Sequence, residues 1–212
     1  MSGSSNSLLQ RRGTQNSAHH LEAVRIQTVD SVFKALKQGM QRSGKESKEF
    51  ICGRDIRSAW SEDSICRVLY PENWSSTEIG IIRTELIKVL SILVYTASHI
   101  CLRNFRSWFF DALVNRRDHN LPFKESQLNF LEDAALRNSI YNKQFCFIPT
   151  CIQISSSPEP KIIDDHLRLP FENVKKNIGN GGYGEVSQVT IPAGYLKQED
   201  GGVWETVSYY HT

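Results

Sequence analysis

Four glycines fall within nine residues at Ile178-Gly179-Asn180-Gly181-Gly182-Tyr183-Gly184-Glu185-Val186. The stretch follows the spacing G-x-G-x-x-G-x-V. Glycine lacks a Cβ and enters positive φ freely, so such a run lets backbone amides approach phosphate oxygens closely. The pattern alone is shared by dinucleotide-binding folds, phosphate-covering hairpins and plain turns, so the flanks must separate them. A dinucleotide fold needs a buried strand before the glycines and a helix directly after them. Asn173-Val174-Lys175-Lys176-Asn177 is too polar for a central parallel strand. Val186-Ser187-Gln188-Val189-Thr190-Ile191-Pro192 is β-branched and closed by proline, so it predicts a strand. No G-K-[ST] follows, which excludes a Walker-type loop. The expectation is strand, glycine turn, strand, with Ile178 facing Val186 across the hairpin and Tyr183 at its tip.

Upstream of the glycines, the β-rich texture begins near residue 144. Phe145-Cys146-Phe147-Ile148 and Cys151-Ile152-Gln153-Ile154 read as strands, interrupted by Pro149. Ser155-Ser156-Ser157-Pro158-Glu159-Pro160 reads as a loop. Ile162-Ile163, residues 167–174, 185–191 and 203–210 read as short strands, and Tyr195-Leu196-Lys197-Gln198-Glu199-Asp200 as a polar turn. The last residues, Tyr209-Tyr210-His211-Thr212, read as a strand left unfinished.

Upstream the periodicity is helical. Leu21, Val24, Ile26, Val29, Val32, Phe33 and Leu36 recur at spacings near three and four, and Gly39 ends that run. Residues 41–48 read as a polar link. A second segment carries Phe50, Ile51, Ile56, Trp60, Ile65, Val68 and Leu69, with Ser61-Glu62-Asp63 as a helix start and Pro71 as its stop. Ser75-Ser76-Thr77-Glu78 caps a long helix reaching toward Ser98, with Ile79, Ile82, Leu86, Val89, Leu90 and Leu93 on one face. An apolar cluster over 105–114 follows, and residues 124–142 read as helical again. Residues 1–17 are rich in Ser, Asn and Gly and are expected to be disordered. Their acid-free texture, with Arg11 and Arg12, is also that of a transit peptide.

Composition bounds these elements. The chain has 212 residues, 40% hydrophobic and 23% charged, which excludes a wholly disordered or collagen-like polymer. Lys plus Arg number 25 and Asp plus Glu 23, too even a balance to argue for a nucleic-acid partner. The longest apolar stretch, 89–102, is shorter than the roughly 20 residues a bilayer requires, so no membrane span is expected. Five cysteines without a repeating spacing, and no secretory leader, predict reduced thiols in an intracellular, cytoplasmic protein.

At the glycine stretch the chain resembles the protein-kinase family, whose glycine-rich loop has the same spacing. Leu169-Pro170-Phe171 leads into the first strand as in many kinase amino-terminal lobes. The helical part, then Phe145-Cys146-Phe147-Ile148-Pro149 and Asp164-Asp165, narrows the likeness to fungal-type kinases with a helical amino-terminal module. The specific match covers residues 167–191. The resemblance implies an α+β chain: a mainly helical module followed by the first β-strands of a protein-kinase N-lobe. Its parts would be a disordered tail (1–17), the helical module (18–143), a β-rich linker (144–166) and an incomplete kinase-like domain (167–212). It implies that Ile178, Gly179, Asn180, Gly181, Gly182, Tyr183, Gly184, Glu185 and Val186 bind ATP. Backbone amides of 180–184 would cover the phosphates, while Ile178 and Val186 would line the adenine site. In a complete kinase, ATP with Mg²⁺ would phosphorylate a Ser or Thr hydroxyl of a protein substrate.

The departures are equally specific. Lys197 lacks the V-A-I-K strand context of the phosphate-pairing lysine, and no H-R-D or D-F-G motif follows. The chain is therefore expected to be inactive alone and to bind ATP weakly. Arg117-Asp118-His119-Asn120 precedes the glycines, the wrong order for a catalytic loop, and reads as a surface turn. The alternative reading makes the helices a protein–protein interaction or regulatory module carrying a kinase remnant.

Other constellations have plainer readings. Cys146 and Cys151 with His166 lack metal-ligand spacing and read as buried apolar cysteines. Asp164-Asp165 reads as an exposed acidic turn, and His19-His20 as part of the frayed tail. Arg103, Phe105, Arg106, Trp108 and Phe109 interleave base and aromatic as single-strand binders do, but fit a packed helix face.

Overall fold

Cooperative helix growth dominates the first part of the chain. The computed structural model describes residues 6–43, 48–97, 99–112, 115–154, 166–181, 184–198 and 207–211. Helix α1 spans Asn6–Gly39, ending at the expected glycine but starting well inside the stretch expected to be disordered. Nucleation is the costly step of helix formation, so a helix anchored by packing at its far end extends readily through residues such as Leu8, Leu9, Gln10 and Arg11.

The buried face of α1 also departs from the sequence pattern. Val29, Val32 and Leu36 are buried as expected, but Leu21 and Ile26 are 42% and 54% exposed. Arg25 is buried instead. Its Nε donates to the Val68 carbonyl at 3.0 Å and its Nη1 to Glu22 at 2.8 Å. A buried guanidinium is tolerated where such partners replace water.

After Gly39 the expected polar link is a hairpin: β1 (Met40–Ser43) pairs antiparallel with β2 (Lys48–Ile51), Met40 opposite Ile51. Helix α2 (Gly53–Ser58) and helix α3 (Glu62–Val68) follow. Ser61 caps α3 as the sequence indicates, forming a reciprocal capping box with Ser64. Ser75 and Glu78 form the same device at α4 (Ser76–Ile81). That helix runs through a π-helical turn, Ile82–Leu86, into α5 (Ile87–Tyr95). All six predicted core positions on it are buried.

Helix α6 (His99–Arg103) leads into a second π-helical turn, Arg106–Phe110. The segment expected as one helix over 124–142 divides in two. Residues Glu125–Leu128 form a 3₁₀ turn, and α7 spans Ala134–Gln144. Asp133 ends the break by accepting from the amides of Ala135 and Leu136, the local bond that makes aspartate a helix starter. Phe145–Phe147 is a 3₁₀ turn rather than a strand. All three side chains are buried there, which a half-buried alternating strand would not permit.

The β part comprises β3 (Ile152–Ile154), β4 (Glu172–Gly181), β5 (Gly184–Ile191), β6 (Leu196–Gln198) and β7 (Val207–His211). Strand β5 is central in an antiparallel sheet of order β4-β5-β7, and β3 pairs parallel with β6. At the coarse level the chain is α+β, a mainly helical part followed by small sheets. The loop at 155–160, Ile162-Ile163 and Asp164-Asp165 lie outside the described residues.

The helical core gathers α1 through α7. Its aromatic side holds Phe105 stacked on Phe109 at 5.7 Å, with Trp108 edge-on to Phe130 at 5.6 Å. The aromatics that interleave with Arg103 and Arg106 are thus packed inward, and Arg106 bridges Glu72 and Glu78 across the face of Trp74. No helix among the described residues is long and apolar enough to cross a membrane.

Candidate functional site

The glycine stretch folds as a hairpin end. Ile178, Gly179, Asn180 and Gly181 close β4, and Gly184, Glu185 and Val186 open β5. Gly182 and Tyr183 lie outside the described residues. Gly181 is paired with Gly184 across a two-residue connection, and Asn180 with Glu185. That closure sets the register and yields one correction. Val186 stands opposite Gly179, not Ile178. In a two-residue hairpin the turn dictates every pair behind it, and the closing pair here is Gly181–Gly184.

Strand β4 is irregular below the turn. Its partners run Glu172–Thr190, Lys175–Gln188 and Gly179–Val186, so register shifts fall on both sides of Lys175. Bulges of this kind sharpen strand twist and recur beside ligand sites. As an edge strand, β4 can accommodate them, and its polar run Asn173-Val174-Lys175-Lys176-Asn177 suits an edge.

Past β5 the chain turns at Pro192-Ala193-Gly194-Tyr195. The Tyr195 amide donates to the Pro192 carbonyl at 3.2 Å, and Gly194 has φ +85°. This is the backbone of a type II turn, which favours glycine at its third position. The turn therefore lies earlier than the sequence indicates. Lys197 sits in β6, paired with Gln153 of β3, not in a polar turn. Strand β7 flanks β5 on the other side, Val207 opposite Ile191 and His211 opposite Ser187.

Asp118 escaped the sequence reading. It belongs not to a surface turn but to a 3₁₀ turn, Asp118–Asn120, folded against the long helix. Its two carboxylate oxygens accept from the amides of Lys88 and Val89 at 3.0 and 2.9 Å. Leu86, at φ −135°, interrupts helical geometry just before those amides, so Asp118 caps α5 from a distant loop. Burial pushes its carboxyl above the usual aspartate value, against the pull of the two amides. The adjacent Arg117 pairs with Glu85. Nothing in sequence spacing points from residue 118 to residue 88.

The cysteines divide. Cys146 is buried as expected, and burial raises its thiol pKa, whereas Cys151, expected to be buried too, is exposed. Burial pushes the Cys52 thiol up to about 12, with the Glu172 carboxylate adding to the effect, which disfavours its thiolate form. His166 stacks on Phe145 at 5.1 Å. Among the described residues no group of three or more His, Cys, Asp or Glu could hold a metal ion.

Comparison with protein-family models, curated proteins and solved structures finds no match for this chain.

Proposed function

We propose that residues 167–212 form the opening part of a protein-kinase-like ATP-binding lobe, carried on a helical module. The observation that carries the reading is the pairing of Gly181 with Gly184. It makes the glycine run the end of an antiparallel hairpin, where amides can cover phosphates, rather than the entry to a helix. The strand order β4-β5-β7, central strand flanked antiparallel on both sides, supports it. In a complete enzyme the reaction would be phosphoryl transfer from ATP to a Ser or Thr hydroxyl with Mg²⁺ supplied as the ATP complex. No metal-holding group occurs among the described residues, so no step is assigned to them through Mg²⁺. What this chain's residues contribute is a cover for phosphates.

Titration of Mg-ATP into the isotope-labelled chain, followed by amide NMR, tests this. The expected result is millimolar binding with shifts centred on residues 179–186, lost in Gly181→Val and Gly184→Val. Shifts absent at saturating millimolar Mg-ATP, or centred on the helices, overturn it.

A second reading rests on a different observation. A groove of about 610 Å³ between α1 and the end of α5 is lined by Ala23, Ile26, Val29, Phe33, Val94 and Ala97. Together with the exposure of Ile26, it supports the helical module as a protein-binding or regulatory arm, which is compatible with the first reading.

A further inference from the structure

Among the described residues some buried side chains lie outside the helical core. Ile51 of β2 belongs to the helical core, whereas its neighbour Phe50, also fully buried, does not. Successive residues of a strand point to opposite faces, so β2 is a wall with a buried side chain on each face. Cys52, Val189, Ile191 and Leu196 are likewise buried outside the helical core, and β1 lies against β4.

Two polar contacts join the β2–α2 junction to the sheet residues, one at Gly53 and one at Cys52. The amide of Gly53, first residue of α2, donates to the Tyr195 hydroxyl oxygen at 2.9 Å. Cys52 precedes it without a side-chain cap, so the phenol takes the place of one. Within the β part, the Tyr195 carbonyl accepts from the Ile152 amide at 2.7 Å, and the Thr150 amide donates to the Arg168 carbonyl at 2.8 Å. Cys52 Sγ lies 3.9 Å from a Glu172 carboxylate oxygen.

These contacts hold one end of the hairpin. Glu172 opens β4 and Tyr195 follows the turn after β5, while the glycine turn lies at the opposite end of the ten-residue strand β4. A strand of that length runs about 30 Å. Strand β7 pairs with β5 only over Ser187–Ile191, so the glycine end is a two-stranded ribbon, marginal by itself, whose stiffness depends on how the rest of the hairpin is held.

We propose that Tyr195 is a latch through which the helical module sets the rigidity of the glycine hairpin. Its hydroxyl ties the base of the β4–β5 hairpin to the start of α2. Only the consequence for nucleotide rests on the function proposed above; the mechanical coupling stands on the contacts themselves.

Amide hydrogen exchange on the full chain decides it. Tyr195→Phe keeps the ring and removes the acceptor. Gly53→Pro removes the donor from the other side. Proline suits the first helical position, and Cys52, at φ −75° and ψ 149°, already has the backbone that a following proline demands. Each variant is expected to raise exchange in β4 and β5 about three- to tenfold, the effect of losing one hydrogen bond, and to leave α4 and α5 unchanged. Unchanged exchange in β4 and β5, a rise confined to α2, or an equal rise through α4 and α5 overturns the latch. If the unaltered chain shows no response to Mg-ATP, the nucleotide reading fails while the exchange comparison still decides the latch.

Discussion

Glu78 concentrates several interactions in one side chain. It accepts from Arg106 at 2.7 Å and from the Ser75 amide and hydroxyl at 2.8 and 2.9 Å. Arg106, then Ser75, hold its carboxyl down at about 2. A carboxyl depressed in the fold contributes stability above its unfolded pKa, and that contribution is lost as pH falls through the folded value. The loss should therefore run from about pH 4.5 down to about 2. Thermal midpoints measured across that window should fall less steeply in Glu78→Gln than in the unaltered chain. Parallel curves would refute the assignment. The serine–glutamate spacing of this cap was visible in the sequence, but Arg106, 28 residues on, was not.

The long helix α4–α5 shows how an element can be legible and still incomplete. Its start, its apolar face and its approximate end followed from periodicity and from Ser75. The π-helical turn at Ile82–Leu86 did not, because a local change of pitch leaves the buried residues buried. The interruption leaves the amides of Lys88 and Val89 to Asp118. Asp118→Ala should cost about 2–3 kcal/mol in urea denaturation, since two partly buried donors lose their acceptor. Asp118→Asn keeps one acceptor oxygen and removes the buried charge, so it should cost less. A loss within a few tenths of zero for the alanine variant would remove the capping role. Residues 41–48 and 145–147 misled for another reason. Short apolar or polar runs carry too little periodicity to choose between strand, turn and link; strand pairing decided the first and burial the second.

At the scale of the molecule, β2 is buried on both faces, Ile51 in the helical core and Phe50 outside it, and the Gly53–Tyr195 bond ties the sheet beside it. Unfolding should therefore be a single transition, coincident by far-ultraviolet circular dichroism and by tryptophan fluorescence. Phe50→Ala should cost about 3–5 kcal/mol and split the two probes, because it empties one side of the shared wall. Separate transitions already present in the unaltered chain would show that the helical part and the sheet are independent.

The helical-then-β order, the capped starts of α3 and α4, the core face of the long helix, and a hairpin rather than a helix entry at the glycines are all written in local residue patterns. Those features are set within a few residues of one another, by periodicity, capping and backbone freedom. Tertiary structure alone decided that Arg25 rather than Ile26 faces inward, that Val186 lies opposite Gly179, that Asp118 caps α5, and that Tyr195 reaches Gly53. Each of these depends on groups brought together from distant parts of the chain or on a turn closing in one register. Desolvation and hydrogen-bond geometry select such partners only once the elements are packed.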